Sequence, residues 1–138
     1  NNYSGLNALR ERLSNESMQD SIADNNQTII AVGVPIHFYF KINTANLVDK
    51  TQLSNLKEIA NIAKEQNLIV HISAAADSYT GKAAYNKKLA AKRGNYIAKK
   101  LKEYGVSMDN MRGANLGGIS TYAPAEANRT TIILLTTH

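Results

Sequence analysis

The feature that most restricts the fold of this chain of 138 residues is an alternation of strand-like and helix-like patterns. Runs rich in β-branched and aromatic residues alternate with segments whose apolar residues recur every three or four positions. The predicted strands are 28–32, 36–41, 68–75, 111–116 and 130–136, and the predicted helices are 50–66 and 83–104. Because the first strand signal is short, the order reads β-α-β-α-β-β. It predicts an α/β sandwich in which two helices pack on one face of a mixed sheet.

The first part of the chain differs from this pattern. Residues 1–27 are polar, with a few apolar side chains three to five positions apart, which indicates a linker or a short amphipathic helix. The patterned part, 28–138, is predicted to form one domain, and an apolar content of 43% is sufficient for a packed core.

Composition argues for binding rather than catalysis. The chain has no Cys, so disulfides, thiolate metal sites and cysteine nucleophiles are excluded. Its three His residues have no metal-ligand spacing, and no serine or pair of carboxylates stands in a catalytic pattern. We therefore predict no enzyme activity, no cofactor and no metal.

The positive charge is concentrated in one helix. Residues 82–104 carry a net charge of +7, whereas the rest of the chain carries −2. Clustered lysines can neutralise nucleic-acid phosphates, or they can simply form the solvated face of a helix. The second interpretation is favoured, because no aromatic platform or nucleic-acid motif accompanies the lysines.

One of these basic residues lies in the apolar stripe of its helix. The stripe, read at four-residue spacing, consists of Tyr85, Leu89, Arg93, Ile97 and Leu101. A buried guanidinium without a partner would cost several kcal/mol, so an anion is expected beside Arg93. Asp77 is the best candidate within the chain, because it follows the predicted strand 68–75 that lies between the two predicted helices.

Two interpretations of this pair are open. Asp77 and Arg93 can form a simple ion pair that joins the loop to the helix. Alternatively, both can face a ligand at the edge of the sheet, where α/β proteins commonly bind small molecules. A carboxylate and a guanidinium fork suit a zwitterion, since one binds an ammonium and the other a carboxylate.

The stretch "AAADSYTGKAAYNKKLAAKRG" resembles the central motif of the OmpA-like peptidoglycan-binding domain. That motif has an Asp after a strand, a loop Gly, and then an Asn, a Leu and an Arg on a helix. Asp77, Gly81, Asn86, Leu89 and Arg93 match these positions. The last strand, "NRTTIILL", and the opening "HFYFKINTANL" are similar to the ends of the family pattern, so the resemblance runs from about residue 34 to 136.

The resemblance implies a ligand and a set of contacts. In this family the Asp and the Arg hold the diaminopimelate residue of the peptidoglycan stem peptide. Asp77 would then bind its ammonium group and Arg93 its carboxylate. The loop after the first strand also contacts the ligand in the family. The candidate binding residues are therefore Asp77, Arg93, Asn86, Ile42, Asn43 and Thr44.

The resemblance also implies a biological role. It predicts a non-covalent anchor that joins an outer-membrane or envelope protein to the cell wall, on the periplasmic side of the outer membrane of a Gram-negative bacterium. The implied partner is peptidoglycan, with no nucleic acid, and with a membrane only through an upstream barrel or lipid anchor. A homodimer is a further expectation.

The chain departs from the family pattern at several positions. The Gly-His-Thr that usually precedes the Asp is replaced by Ala74–Ala76, and Lys41 stands where the family has an acidic residue. An alternative is therefore kept: a structural or oligomerisation domain of the same fold that has lost its ligand.

Overall fold

The computed structural model describes residues 28–138, so the predicted linker 1–27 lies outside the described residues. Six regular elements follow one another in the predicted order. They are β1 (Ala31–Tyr39), α1 (Gln52–Gln66), β2 (Ile69–Asp77), α2 (Ala83–Glu103), β3 (Met111–Ile119) and β4 (Thr130–Thr136). Short 3₁₀ turns, Met108–Asn110 and Ala125–Asn128, precede β3 and β4.

The strands form one mixed sheet in the order β1-β4-β2-β3. β4 is antiparallel to both of its neighbours, whereas β2 and β3 are parallel. This arrangement brings the ends of β1, β2 and β3 and the start of β4 to the same side of the sheet. We call this side, which runs across the strand ends, an edge of the sheet. The parallel pair is joined through α2, so this helix also starts at that edge.

Both helices pack on one face of this sheet, as predicted. Phe38, Ile72 and Ile133 are buried on this face, and the two-residue period of a strand places the alternate side chains on the opposite face. From the helices, the residues that enter the same core are Leu56, Ile59, Ala60, Ala63, Ile97 and Leu101. The mixed four-stranded sheet with two helices confirms the predicted fold class.

The C-terminus of α2 is closed by two backbone hydrogen bonds around Gly105. Gly105 has a φ of +98°, a left-handed conformation that glycine adopts without a Cβ clash. Its N–H donates to the carbonyl of Lys102 (3.0 Å), and the N–H of Val106 donates to the carbonyl of Leu101 (3.0 Å). These two bonds form a Schellman motif, and the burial of both Val106 and Leu101 accompanies it.

The predicted strand boundaries need three corrections. The first two predicted strands are one strand, β1, with a shift in register between Val32 and Ile36. β2 continues to Asp77, and β3 continues to Ile119. The predicted strands end too early because Ala and Gly are poor strand formers. In the structure both strands continue, because β2 and β3 stay paired in parallel on both sides of a bulge between Ala74 and Ala75.

Candidate functional site

The candidate site lies at the sheet edge where β1 and β2 end and β4 begins. Asp77 is the last residue of β2, and the loop after β1 follows Tyr39. Arg129 directly precedes β4. Because β4 lies between β1 and β2, the topology brings the loop, the carboxylate and this second arginine together.

Asp77 is almost completely buried, with 2% of its surface exposed. Its Oδ1 accepts a hydrogen bond from the N–H of Tyr79 (2.8 Å), which fixes the start of the following loop. Its Oδ2 accepts from both Nε and Nη2 of Arg129, each at 3.3 Å, and from the hydroxyl of Thr80 at 3.3 Å. Asp77 is therefore paired with Arg129, and the simple ion pair between Asp77 and Arg93, one of the two interpretations of the sequence, is not formed.

Arg93 is fully buried and binds backbone carbonyl groups instead of a carboxylate. Its Nε donates to the carbonyl of Thr44 (2.8 Å) and its Nη2 to that of Lys41 (3.1 Å). Its Nη1 donates to the carbonyl of Ala75 in β2 (3.1 Å). The guanidinium carbon lies 5.5 Å from the centre of the Phe40 ring. This one side chain thus joins α2, β2 and the loop after β1.

The charge of Arg93 is disfavoured by its surroundings. Burial lowers the pKa of Arg93 to about 10, and repulsion from the Arg129 guanidinium contributes to the lowering, while Tyr85 and Asp77 oppose it. The group nevertheless remains protonated at neutral pH. The two arginines are close enough to repel each other, and the negative charge of Asp77 partly offsets this repulsion at Arg93.

The loop after β1 is a tight turn that Arg93 holds from inside. The N–H of Thr44 donates to the carbonyl of Lys41 (3.1 Å), which closes a four-residue turn. Asn43 has a φ of +57°, a left-handed conformation that Asn tolerates better than most residues. Ile42 is 45% exposed, and Asn43 is exposed as well, so the turn presents these two residues outward.

Asn86 lies in the first turns of α2 and is buried, at 3% exposure. A Cβ added to Gly81 would come within 3.0 Å of its Oδ1, and one added to Gly118 would come within 2.9 Å of its Nδ2. The side chain therefore packs between the loop that follows β2 and the end of β3. In this position Asn86 fills the space between Gly81 and Gly118 beside the candidate site.

The structure assigns a contact to the unusual alanines. Ala74–Ala76 are all buried, and the carbonyl of Ala75 is one of the three acceptors of Arg93. The stretch therefore contributes its backbone to the site, irrespective of the polar side chains that the family usually has there.

Arg129 is the site residue that the sequence reasoning missed. The "NR" before the last strand belongs to the resemblance, which gives Arg129 no role in binding. The signal that could have found it is topological, because an antiparallel β4 beside β2 must begin where β2 ends. Its side chain is 20% exposed and so reaches the surface beside the buried Asp77.

Neither a metal centre nor a membrane span is found in the part of the chain that the structure describes. Within residues 28–138, no three His, Cys, Asp or Glu side chains are grouped as metal ligands would be. The helices of the same residues include none with the length and hydropathy required to cross a bilayer.

The fold and the charged edge together define an α/β sandwich domain with a site at its strand ends. The OmpA family model matches residues 39–131, and the chain belongs to this family. It is similar to Outer membrane protein 40 of Porphyromonas gingivalis (strain ATCC BAA-308 / W83), with 40% identity over 84 residues. That match covers 61% of this chain and 22% of the relative, so the chain spans under a quarter of the length of that protein.

Solved structures share the fold at lower identity. The OmpA-like domain of FopA1 from Francisella tularensis subsp. tularensis SCHU S4 superposes with a TM-score of 0.67 at 16% identity, and the match covers 80% of each chain. The peptidoglycan-associated lipoprotein from Burkholderia pseudomallei gives a TM-score of 0.63 at 22% identity, covering 72% of this chain and 88% of that one. The periplasmic domain of Helicobacter pylori MotB (residues 78–256) gives 0.60 at 16% identity, covering 80% and 83%.

Proposed function

We propose that this domain binds peptidoglycan non-covalently and anchors an outer-membrane or envelope protein to the cell wall from the periplasmic side. Membership of the OmpA family supports this, as does the similarity to an outer membrane protein. One of the solved structures with this fold is a peptidoglycan-associated lipoprotein. The observation that carries the proposal is the convergence of one carboxylate, two guanidiniums and an exposed turn at a single sheet edge.

The charges at this edge fit a ligand that carries both an ammonium and a carboxylate group. Two guanidiniums and one carboxylate interact electrostatically at this edge, so it has an excess of positive charge that a ligand carboxylate would offset. We propose the diaminopimelate residue of the stem peptide, with Asp77 as the partner of its ammonium and Arg93 as the partner of its carboxylate.

The hydrogen bonds leave capacity for such contacts. The bonds from Arg129 to Asp77 Oδ2 are 3.3 Å long, whereas charge-assisted N–H···O bonds are about 2.7–2.9 Å. An ammonium group can therefore compete for this oxygen. Arg93 has about five N–H donors and uses one for each of its three carbonyl acceptors, so two remain. Because the side chain is fully buried, binding of a ligand carboxylate to these donors requires the turn at residues 42–44 to move.

The remaining predicted residues would cover the ligand or position the loops around it. Ile42, Asn43 and Thr44 form the turn that would cover the ligand, and Arg93 fixes that turn through the carbonyl of Thr44. Asn86 positions the loop after β2 by packing against Gly81. Because the ligand is small and polar, we expect dissociation constants on the order of micromolar to millimolar.

The test is a titration of the chain with the soluble tripeptide L-Ala-γ-D-Glu-meso-diaminopimelate, followed by backbone amide NMR shifts. We expect saturable shifts at residues 42–44, 77–81 and 129. Asp77→Asn keeps the shape of the side chain but removes its charge, and it should weaken binding about tenfold or more, in line with the loss of a buried charge-assisted bond.

A matched control is available at the opposite edge of the sheet. Asp109 is exposed and precedes β3, so Asp109→Asn changes the net charge equally without touching the site. Equal affinities for the parent, Asp77→Asn and Asp109→Asn would contradict the site. A peptide with L-Lys in place of diaminopimelate should bind more weakly, because it lacks the second carboxylate.

The second candidate function is a structural domain without a ligand. The burial of Asp77 and Arg93, each already satisfied by partners within the chain, favours it. Under this alternative, the tripeptide causes no saturable shift at any concentration up to several millimolar.

A further inference from the structure

The outer face of α2 carries a row of lysines that the proposed site does not use. At about 100° per residue, Lys88, Lys92, Lys99 and Lys102 fall within an arc of about 80° on one side of the helix. All four are exposed. They span fourteen positions, which is about 21 Å along the helix axis. We call these four residues the lysine row.

The lysine row lies on the side of α2 that faces away from the sheet. Arg93, Ile97 and Leu101 of the same helix are fully buried, so the opposite side must face solvent. Within residues 28–138, no ion pair or side-chain hydrogen bond involves a lysine of the row, whereas the neighbouring Lys100 contacts Glu103 at 3.4 Å.

The other helix shows that this charge distribution is not a general property of the surface. α1 contains two lysines and two glutamates, Lys57, Glu58, Lys64 and Glu65, and has no net charge. α2 contains seven basic residues and a single acidic one, Glu103. The one-sided charge is therefore a property of α2 and not of the helical surface in general.

We infer that the lysine row is a second contact surface for peptidoglycan, which attracts the free carboxylates of stem peptides other than the one held at Asp77. This inference rests on the proposed function and adds a partner surface to it. Stem peptides carry carboxylates on their glutamate and diaminopimelate residues, so the wall is a polyanion with charges repeated along a mesh. A row of about 21 Å is long enough to meet more than one such group.

The chemistry of the row argues against other polyanions. Membrane-binding helices combine basic residues with large apolar ones such as Trp, Phe or Leu, and the row contains only Lys and the intervening Asn95. Binding of single-stranded nucleic acid uses exposed aromatic rings between the basic residues, whereas Tyr96, between Lys92 and Lys99, is half-buried and packs against Phe40 and Lys100. The row supplies positive charge, which suits a partner that presents carboxylates; the phosphates of duplex DNA also require charge, so duplex DNA is compared in the test.

The test compares two quadruple variants with the same net charge. The first, K88Q/K92Q/K99Q/K102Q, neutralises the lysine row. The second, K50Q/K57Q/K82Q/K87Q, neutralises four exposed lysines elsewhere. Gln has nearly the same helix propensity as Lys, so both variants should fold, which circular dichroism verifies. Each is measured against the soluble tripeptide and against purified insoluble peptidoglycan at 50 and 300 mM NaCl.

We expect the row variant to bind insoluble peptidoglycan about fivefold or more weakly than the parent at 50 mM NaCl, with the difference shrinking at 300 mM as charges are screened. The control variant should lose less than about twofold, because scattered charges contribute little, and both variants should keep the parent affinity for the tripeptide.

Two results would overturn the inference while leaving the proposed function intact. In the first, the parent binds the tripeptide and the row variant binds insoluble peptidoglycan as tightly as the parent does. In the second, the row variant and the control variant lose the same affinity for insoluble peptidoglycan. Absence of tripeptide binding by the parent would instead overturn the proposed function. Duplex DNA and vesicles of phosphatidylglycerol serve as further probes. Tighter, row-dependent binding to either of them than to peptidoglycan would also overturn the inference.

Discussion

Arg93 and Arg129 both bind the C-terminal end of β2 and have different tasks. Arg93 is fully buried, and its guanidinium donates to three backbone carbonyls. Arg129 is 20% exposed and forms the ion pair with Asp77. The residue that the motif marks as ligand-binding is therefore also a structural centre of the site, while the residue without a predicted role holds the acidic partner.

The difference teaches that a charged residue in an apolar stripe does not need an opposite charge. Carbonyl oxygens satisfy a guanidinium well, because its N–H groups point in fixed, separate directions that match acceptors on different segments. By satisfying Arg93 in this way, the fold leaves Asp77 to pair with Arg129.

The largest expected effect is that of removing Arg93. Arg93→Leu deletes three hydrogen bonds and leaves the carbonyls of Thr44, Lys41 and Ala75 without this partner. We expect the free energy of unfolding to fall by about 3 kcal/mol, measured by urea denaturation. Arg93→Lys should lose less, since it keeps the charge but cannot reach three acceptors at once. The adjacent exposed Lys92, changed to Ala, is the control. A loss from Arg93→Leu no greater than the control's would show that the guanidinium is not a structural centre.

The second effect concerns Arg129. Arg129→Gln should lower the stability by about 1 kcal/mol, because the ion pair is partly exposed. It should also weaken tripeptide binding about threefold to tenfold, since a ligand carboxylate then meets one guanidinium fewer. Titration calorimetry measures this, with Arg112→Gln at the opposite edge as a charge-matched control. Tighter binding by Arg129→Gln would mean instead that Arg129 competes with the ligand for Asp77.

A smaller effect is expected in the turn that Arg93 holds. Asn43 has a φ of +57°, a region that costs most residues about 1 kcal/mol. Asn43→Ala should therefore lower the free energy of unfolding by about that amount, whereas Asn43→Gly should leave it nearly unchanged. If both variants were equally stable, the turn would owe its shape to Arg93 alone.

The smallest expected effect is one of pH. Burial lowers the pKa of Arg93 to about 10, below the ordinary value that the unfolded chain keeps. Between the lowered and the ordinary value only the unfolded chain holds the proton, so this group's contribution to stability rises with pH above about 10. Below pH 9 both states are charged. The stability difference between the parent and Arg93→Leu should thus be constant from pH 6 to 9, measured by urea denaturation. A slope in this range would place the pKa of Arg93 lower.

Much of the architecture can be read from the sequence alone, because it depends on local patterns. The periodicity of apolar residues located both helices, and Gly directly after Tyr104 is a residue type that favours a helix end. The alternation of elements gave the layer arrangement. These signals are local, since each depends on residues within a few turns of one another.

Only the tertiary structure decided which residues form hydrogen bonds and ion pairs with one another at the candidate site. Asp77 and Arg129 are 52 positions apart, and the carbonyl of Lys41 is 52 positions from Arg93. Such contacts follow from the placement of β4 between β1 and β2, which no local pattern encodes. The sequence thus predicts a buried guanidinium on α2. Which carbonyl groups accept its hydrogen bonds depends on the strand order, because a hydrogen bond requires atoms that are close in space and not in sequence.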